Sequence, residues 1–306
     1  MTSSEARTDM RVAEHWKDYT LLDTMNGYRF ESWGGHKVAR PDPQVVWHDV
    51  QNGMSRMKNG CEGIYYRSEK GGGHWEFREG MPESWKISYG SLKFRIKPTN
   101  FKHMGLFPEQ AVNWDFCQRA IREAGRPVNV LNLFAYTGGA TLACAAAGAS
   151  VCHVDAVKGM VSWARENAAL SGLAEKPVRW IVEDAMKFVE REIKRGHRYD
   201  IIILDPPSYG RGSNGEMWKI EDCIYELMTN CMELMSDKPL FIMLNSYTTG
   251  LSPAAMEYLL HEIAYPRGRE YSVSADEIGL PVAADHGRRV LPCGSTALLL
   301  FEKIDI

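Results

Sequence analysis

Asp205-Pro206-Pro207-Ser208-Tyr209 is the stretch of this sequence best suited to chemistry. It directly follows an apolar tetrad, residues 201–204, that reads as a buried strand. Two consecutive prolines stiffen the backbone and donate no hydrogen bond, so their carbonyl oxygens stand as fixed acceptors. With Asp205 beside them, Pro206 and Pro207 can grip a planar amine or the edge of a base, and the Tyr209 ring can stack on its face. Three more groups follow earlier apolar runs. Phe134-Ala135-Tyr136-Thr137-Gly138-Gly139 closes the run at 128–134, and its two glycines permit a tight turn whose N–H groups approach a ligand closely. Asp155 ends the run at 151–154, where a carboxylate accepts from both hydroxyls of a ribose or caps the next helix. Glu183-Asp184-Ala185 ends the run at 178–182, and Asp184 can accept from an adenine amino group or cap the helix behind it. These three point to an adenine nucleoside but leave NAD and S-adenosylmethionine equally open. The fourth group favours the latter, because a dehydrogenase has no need of an acceptor loop for an amine.

Ligands of an open parallel sheet bind outside the carboxyl ends of its strands, where strand order reverses. The elements that would build such a sheet are legible from residue 128 onward. Apolar runs at 128–134, 151–154, 178–182, 201–204 and 239–244 alternate with helical stretches at 140–147, 158–171 and 185–194. Met217, Ile220, Ile224, Leu227, Cys231 and Leu234 recur at helical spacing, and two late strands lie near 271–275 and 296–301. The expected class is α/β, a Rossmann-like, mostly parallel sheet of seven strands with helices on both faces. Earlier residues read differently. Six of the nine tryptophans fall between residues 16 and 114, and glycines interrupt the short apolar pieces at 34–35 and 71–73. Residues 85–89 and 92–96 alternate around Gly90-Ser91 as a hairpin does. The expected division is a β-rich domain at 1–96 and a larger domain at 97–306. Aromatics of the small domain beside Lys58, Arg67 and Lys70 can stack on unpaired bases, or simply make its core.

Composition narrows the classes further. A chain of 306 residues with 44% hydrophobic and 25% charged residues is neither disordered nor fibrous. No apolar run reaches the ~18–20 residues of a membrane span, and the opening MTSSEARTDMRVAEHW is too polar for a signal peptide. Seven cysteines, at 61, 117, 144, 152, 223, 231 and 293, include no C-x-x-C pair and suit a reducing cytoplasm. Nine histidines show no ligand spacing, so no metal is implied. Residues 1–110 carry 16 Lys+Arg against 14 Asp+Glu, and the remainder 20 against 25. A nucleic-acid partner therefore needs a local patch, since the overall charge is −3.

FAYTGG, HVDAVKGMVSWARENAALSG, EDA and DPPSYG, in this order and spacing, resemble the cofactor and target motifs of class I S-adenosylmethionine-dependent methyltransferases. More narrowly they are similar to the ribosomal-RNA large-subunit methyltransferase I-like group. The resemblance spans residues 97–306 and includes KHMGLFPEQ at 102–110, similar to that group's segment leading to the cofactor pocket. It implies S-adenosyl-L-methionine held by Gln110, Phe134, Tyr136, Thr137, Gly138, Gly139, Asp155, Ala156, Asn167, Asp184, Ala185 and Asp205. It also implies methyl transfer at Asp205, Pro206, Pro207 and Tyr209, with ribosomal RNA as the foremost partner. One departure bears on the chemistry. Carbon-5 methylation of a pyrimidine needs a thiolate to attack the ring, and family members that do it carry a cysteine after the fourth or fifth strand. Those positions here read Asp205-Pro206-Pro207-Ser208 and Asn245-Ser246-Tyr247, leaving Cys293 as the one late thiol. Nitrogen is the expected acceptor. A protein side-chain amide or a small molecule would suit the same loop, and a cofactor-binding protein without catalysis is disfavoured by the intact Asp205, Pro206, Pro207 and Tyr209.

Overall fold

The computed structural model describes residues 10–48, 53–68, 72–211, 217–248, 250–286 and 288–304. Lys70 and the first nine residues lie outside them. A short strand β1 (Met10–Val12) precedes the meander β2 (Tyr19–Met25), β3 (Tyr28–Trp33) and β4 (His36–Pro41). Asn26-Gly27 joins β2 to β3 with both residues at positive φ, 50° and 76°, as a two-residue hairpin turn requires. Helix α1 (Gly53–Gly60), β5 (Gly63–Arg67) and β6 (Gly73–Phe77) follow, completing a five-stranded sheet in the order β2-β3-β4-β5-β6. β7 (Trp85–Tyr89) and β8 (Leu92–Ile96) form the hairpin expected around Gly90-Ser91.

The α/β part begins with a 3-10 turn, Pro108–Gln110, that runs into α2 (Ala111–Glu123). It continues through β9 (Asn129–Leu133), α3 (Gly139–Ala146), β10 (Ser150–Asp155), α4 (Lys158–Leu170), β11 (Val178–Val182), α5 (Ala185–Arg195) and β12 (Ile201–Leu204). A small hairpin, β13 (Tyr209–Arg211) with β14 (Met217–Lys219), then interrupts the alternation. The chain closes with α6 (Ile220–Glu233), β15 (Phe241–Ser246), α7 (Pro253–Ala264), β16 (Ser272–Pro281) and β17 (Val290–Leu300). Met217, expected on a helix, lies in β14 instead, because the helical spacing holds only from Ile220.

The large sheet has eight described strands, ordered β1-β16-β17-β15-β12-β9-β10-β11, rather than the seven expected. The eighth is β1, which pairs in parallel with β16 and covers the edge that strand would otherwise present. A three-residue strand carries too little periodicity to be read from sequence. Pairs within the segment β9 to β12 and β15 are all parallel, whereas β17 runs antiparallel between β15 and β16. The order reverses at β9, whose neighbours are β10 and β12. Register then sets the site: Leu133 lies level with Val154 and with Leu204, and Leu204 with Leu244. Phe134, Asp155, Asp205 and Asn245 therefore leave the sheet side by side.

Burial fixes that arrangement. All four residues of β12 are buried, and each fully buried Ile or Leu contributes about 1.5–3 kcal/mol. One apolar cluster joins Tyr19, Leu21 and Trp33 of the small sheet to Ile87, Phe94 and Ile96 of the hairpin. It continues through Leu106, Trp114, Leu142, Leu280 and Leu291 of the larger part. Trp33 is 0% exposed, so much of the aromatic content at the front is core. Inside the small sheet, Glu31 is equally buried and accepts from Arg40 Nε and Nη2, at 2.6 and 2.7 Å, and from the Tyr19 hydroxyl at 2.8 Å.

Candidate active site

The turn between β9 and α3 is held in an unusual shape. Phe134 and Tyr136 adopt left-handed backbone, φ 54° and 50°, and Gly138 follows at 91°. For residues with a Cβ this costs on the order of 1–3 kcal/mol each, and the surroundings must hold it. Asp155 supplies much of the hold: its Oδ2 accepts from the Tyr136 N–H at 2.9 Å and its Oδ1 from the Val157 N–H at 2.8 Å. Thr137 donates to the Gly105 carbonyl at 2.6 Å and accepts, through its own carbonyl, from Asn167 Nδ2 at 2.9 Å. Asn167 Oδ1 in turn accepts from the Arg95 N–H at 2.8 Å. Asn167 is thus a buried strut between the turn and the β7–β8 hairpin, not part of the cleft wall. A Cβ on Gly139 would meet the Trp114 ring at 2.6 Å, so only glycine lets α3 start against that indole.

The cleft beneath this turn is lined by Phe107, Gln110, Asn132, Phe134, Tyr136, Thr137, Gly139, Asp205 and Asn245, among others. Burial raises the Asp155 carboxyl above its ordinary range, and its two N–H donors counter this only in part. Each of its oxygens keeps a second lone pair. Ala156 is exposed just beyond it, and Ala185 is buried in the first turn of α5. Asp184 caps that helix, accepting from the Lys187 N–H at 3.1 Å, and also lines a shallow groove with Trp180, Glu183 and Arg191. Capping and ligand contact are therefore compatible there. Carboxylate, aromatic walls and side-chain-free glycines together fit an adenosine-bearing cofactor.

Asp205 opens into the same cleft. Protein packed around its carboxyl, and secondarily the charge of Glu109, pushes it up to about 7. Of the two proline carbonyls expected to grip an amine, that of Pro207 is already taken, accepting from Trp218 Nε1 at 2.6 Å. Trp218 also packs on Phe134, with ring centroids 5.2 Å apart, tying the acceptor loop to the glycine turn. Ser208 is tied to Thr248 through their hydroxyls. Tyr209 is 54% exposed at the start of β13, its hydroxyl donating to Met217 Sδ at 3.3 Å. It is not among the residues that line the cleft with Asp205.

Two residues around the cleft, Asn113 and Arg29, carry no local sequence signal. Gln110 Nε2 donates to the Tyr247 hydroxyl at 2.9 Å, while Asn113 Nδ2 lies 2.8–3.0 Å from Gln110 Oε1, Asn245 Oδ1 and Thr296 Oγ1. Phe107 bridges Tyr136 and Tyr247, at 5.7 and 5.4 Å between centroids. Arg29 of β3 reaches Cys293 of β17, its Nη1 donating to Sγ at 3.8 Å. The Cys293 thiol is pushed well above its usual range by enclosure and by the charge of Glu109.

A family model described as S-adenosylmethionine-dependent methyltransferase matches residues 63–237. A crystal structure of a SAM-dependent methyltransferase from Agrobacterium tumefaciens is 38% identical, with TM-score 0.89 over 96% of this chain and 93% of that one. Among curated relatives, the ribosomal RNA large subunit methyltransferase K/L of Pseudoalteromonas atlantica is 29% identical over 202 residues, 65% of this chain. That of Shewanella frigidimarina is 31% identical over 150 residues, 48% of this chain. The matched segments span only 26% and 20% of those two proteins.

Proposed function

Because the chain belongs to the S-adenosylmethionine-dependent methyltransferase family, we propose that it methylates a base of RNA, ribosomal RNA foremost, at a nitrogen and in the cytoplasm. The observation that carries this reading is Asp205: an enclosed carboxyl in the cleft of the glycine turn, without hydrogen bond or ion pair to the described residues. The names of the K/L relatives support RNA as the substrate class. Nitrogen is supported by the cysteines, since none lines the cleft and the Cys293 thiol is held in its neutral form. Residues 1–96 then serve to present the substrate. Lys58 lies over the rings of Tyr28 and Tyr66, at 4.8 and 5.3 Å, and Arg67 is exposed nearby, a combination that suits unpaired bases.

When bound, S-adenosylmethionine supplies a methyl group already activated on a sulfonium. The residues of the chain do the rest. Asp155 accepts from the ribose hydroxyls, and Asp184 from the adenine edge. Asp205 and the Pro206 carbonyl orient the acceptor amine so that its lone pair faces the methyl. Alignment of this kind is worth about 7–11 kcal/mol. Asp205 also takes the proton that the nitrogen loses, while Phe107, packed against Tyr136 and Tyr247, gives the cleft an aromatic wall. A base in folded RNA has to be flipped out or already unpaired to reach it. The test is incubation with isotope-labelled S-adenosylmethionine and ribosomal RNA from cells lacking the protein, followed by mass spectrometry of nucleosides. A labelled N-methyl nucleoside is expected. Label appearing only in protein or small molecules would overturn the RNA assignment, and a C5-methylpyrimidine the nitrogen one.

A further inference from the structure

A buried polar network behind the cleft fixes which way two of its amides face. Gln110 of the turn Pro108–Gln110 and Asn245 of β15 line the cleft, and both meet Asn113 of α2. An amide side chain has an oxygen that only accepts and a nitrogen that only donates, on a body of nearly symmetrical shape. Its direction is set by neighbours that can play one role alone.

Arg11 of β1 is such a neighbour, because a guanidinium has donors and no acceptor. Its Nη1 lies 3.2 Å from the Asn113 side chain, so the end of Asn113 that meets it must be the oxygen. Arg11 is itself held by the pairing of β1 with β16, level with Ile278, and its Nε lies 3.7 Å from the Asp276 carboxylate. Asn113 therefore directs its nitrogen the other way, donating to Gln110 Oε1 at 2.8 Å and to Asn245 Oδ1 at 3.0 Å. The Thr296 hydroxyl of β17 donates to the same Asn245 oxygen at 2.7 Å. Both amide oxygens are thereby engaged. A second group of single role agrees: the Leu204 carbonyl, which only accepts, takes Asn245 Nδ2 at 3.3 Å. Gln110 Nε2 donates to the Tyr247 hydroxyl at 2.9 Å. Since each amide nitrogen carries two hydrogens, Gln110 and Asn245 each keep one N–H uncommitted among the described residues.

We propose that Arg11 and Asn113 are positioning residues of the cofactor site: they turn Gln110 and Asn245 so that both present N–H to the cleft, and these two donors hold the carboxylate of the methionine portion of S-adenosylmethionine. That carboxylate is the one anionic group of the cofactor. No Lys or Arg among the described residues lines the cleft, whereas the acid Asp205 does. A carboxylate enclosed there depends on hydrogen bonds from neutral donors. Turned the other way, the two amides would face it with oxygens and repel it. The short first strand thus has a task at the site, supplying the donor that sets the polarity of residues more than a hundred positions away.

Titration calorimetry of the full chain tests this by comparing S-adenosylhomocysteine with its decarboxylated analogue. The wild-type protein should bind the analogue roughly 10–10²-fold more weakly. Asn113→Asp keeps the shape of the side chain and gives Arg11 a counter-charge, but both of its oxygens only accept. Gln110 and Asn245 then turn their nitrogens towards it and their oxygens into the cleft. Affinity for S-adenosylhomocysteine should fall while that for the analogue holds, so the preference disappears. Arg11→Lys, which also only donates, should retain the preference. Arg11→Leu should lose part of it, and serves if Asn113→Asp does not fold. Equal binding of the two ligands by the wild-type protein overturns the proposal, as does an unchanged preference in folded Asn113→Asp. A variant that weakens both ligands alike has lost packing rather than polarity, and that also overturns it. No methyl acceptor enters the measurement, so its failure and the failure of the RNA assignment are distinguishable.

Discussion

Asp155 does two jobs in the structure, and substitution separates them. Its two oxygens brace the left-handed Tyr136 and the start of α4 through N–H contacts of 2.9 and 2.8 Å. Their remaining lone pairs are the ones offered to a ribose. Hydrogen bonds to a charged group are worth about 1.5–3 kcal/mol each. Asp155→Ala removes both ribose bonds, so affinity for S-adenosylhomocysteine should fall by roughly 10²–10⁴-fold. Asp155→Asn keeps one accepting oxygen and should lose roughly 10–10²-fold. Titration calorimetry measures both, but either loss can also reflect a collapsed turn. A 2′-deoxyribose analogue of the ligand distinguishes them in a double-mutant cycle. The wild-type protein should bind that analogue more weakly, and Asp155→Ala should bind the two ligands alike. Equal affinity of wild type and Asp155→Ala for S-adenosylhomocysteine would refute the ribose assignment. An undiminished preference for the 2′-hydroxyl in Asp155→Ala would move that contact elsewhere.

Asp205→Asn should lower turnover by roughly 10²–10⁴-fold with cofactor affinity nearly unchanged, and full activity in single-turnover assays would remove Asp205 from the mechanism. The same variant bears on stability. Because the folded protein holds the Asp205 proton up to about pH 7, its contribution is complete below the unfolded pKa and is lost as pH rises through 7. Asp205→Asn should therefore be more stable than wild type at pH 8, by up to about 4 kcal/mol, and indistinguishable near pH 3; urea titrations at the two pH values decide. Cys293→Ser should leave methyl transfer almost intact, whereas an inactive variant together with a covalent adduct to 5-fluoropyrimidine RNA would reinstate carbon-5 chemistry. Glu31→Gln leaves Arg40 and Arg29 short of a buried counter-charge and should destabilise the chain by about 3–5 kcal/mol in equilibrium unfolding. Since Glu31 is held down to about 2 by Arg40 and Arg29 against its burial, that contribution should persist above the unfolded carboxylate range and vanish as pH falls towards 2.

The sequence by itself determined the β–α alternation from β9 to β15 and the positions of the glycine turn, Asp155, Asp184 and Asp205. Each is local: an apolar run ends, and a glycine or an acid follows within one or two residues. Parallel register then carries those ends to one level, so strand-end reasoning locates a site without knowing the sheet order. Only the tertiary structure decided which groups share a dielectric. The Pro207 carbonyl reads as free until Trp218, eleven residues on, folds back through the β13–β14 hairpin to take it. Asn167 sits within a cofactor motif yet serves as a strut, because the Arg95 N–H it meets lies 72 residues away. Arg29, Glu31 and Arg40 alternate along strands of the small sheet and look like an ordinary solvated face. They are buried because the small sheet shares one apolar cluster with the β7–β8 hairpin and with Leu280 of β16 and Leu291 of β17. Periodicity reports which side of an element is apolar. It does not report which distant charge will be enclosed with it, and the proton affinity of Asp205 depends on that enclosure.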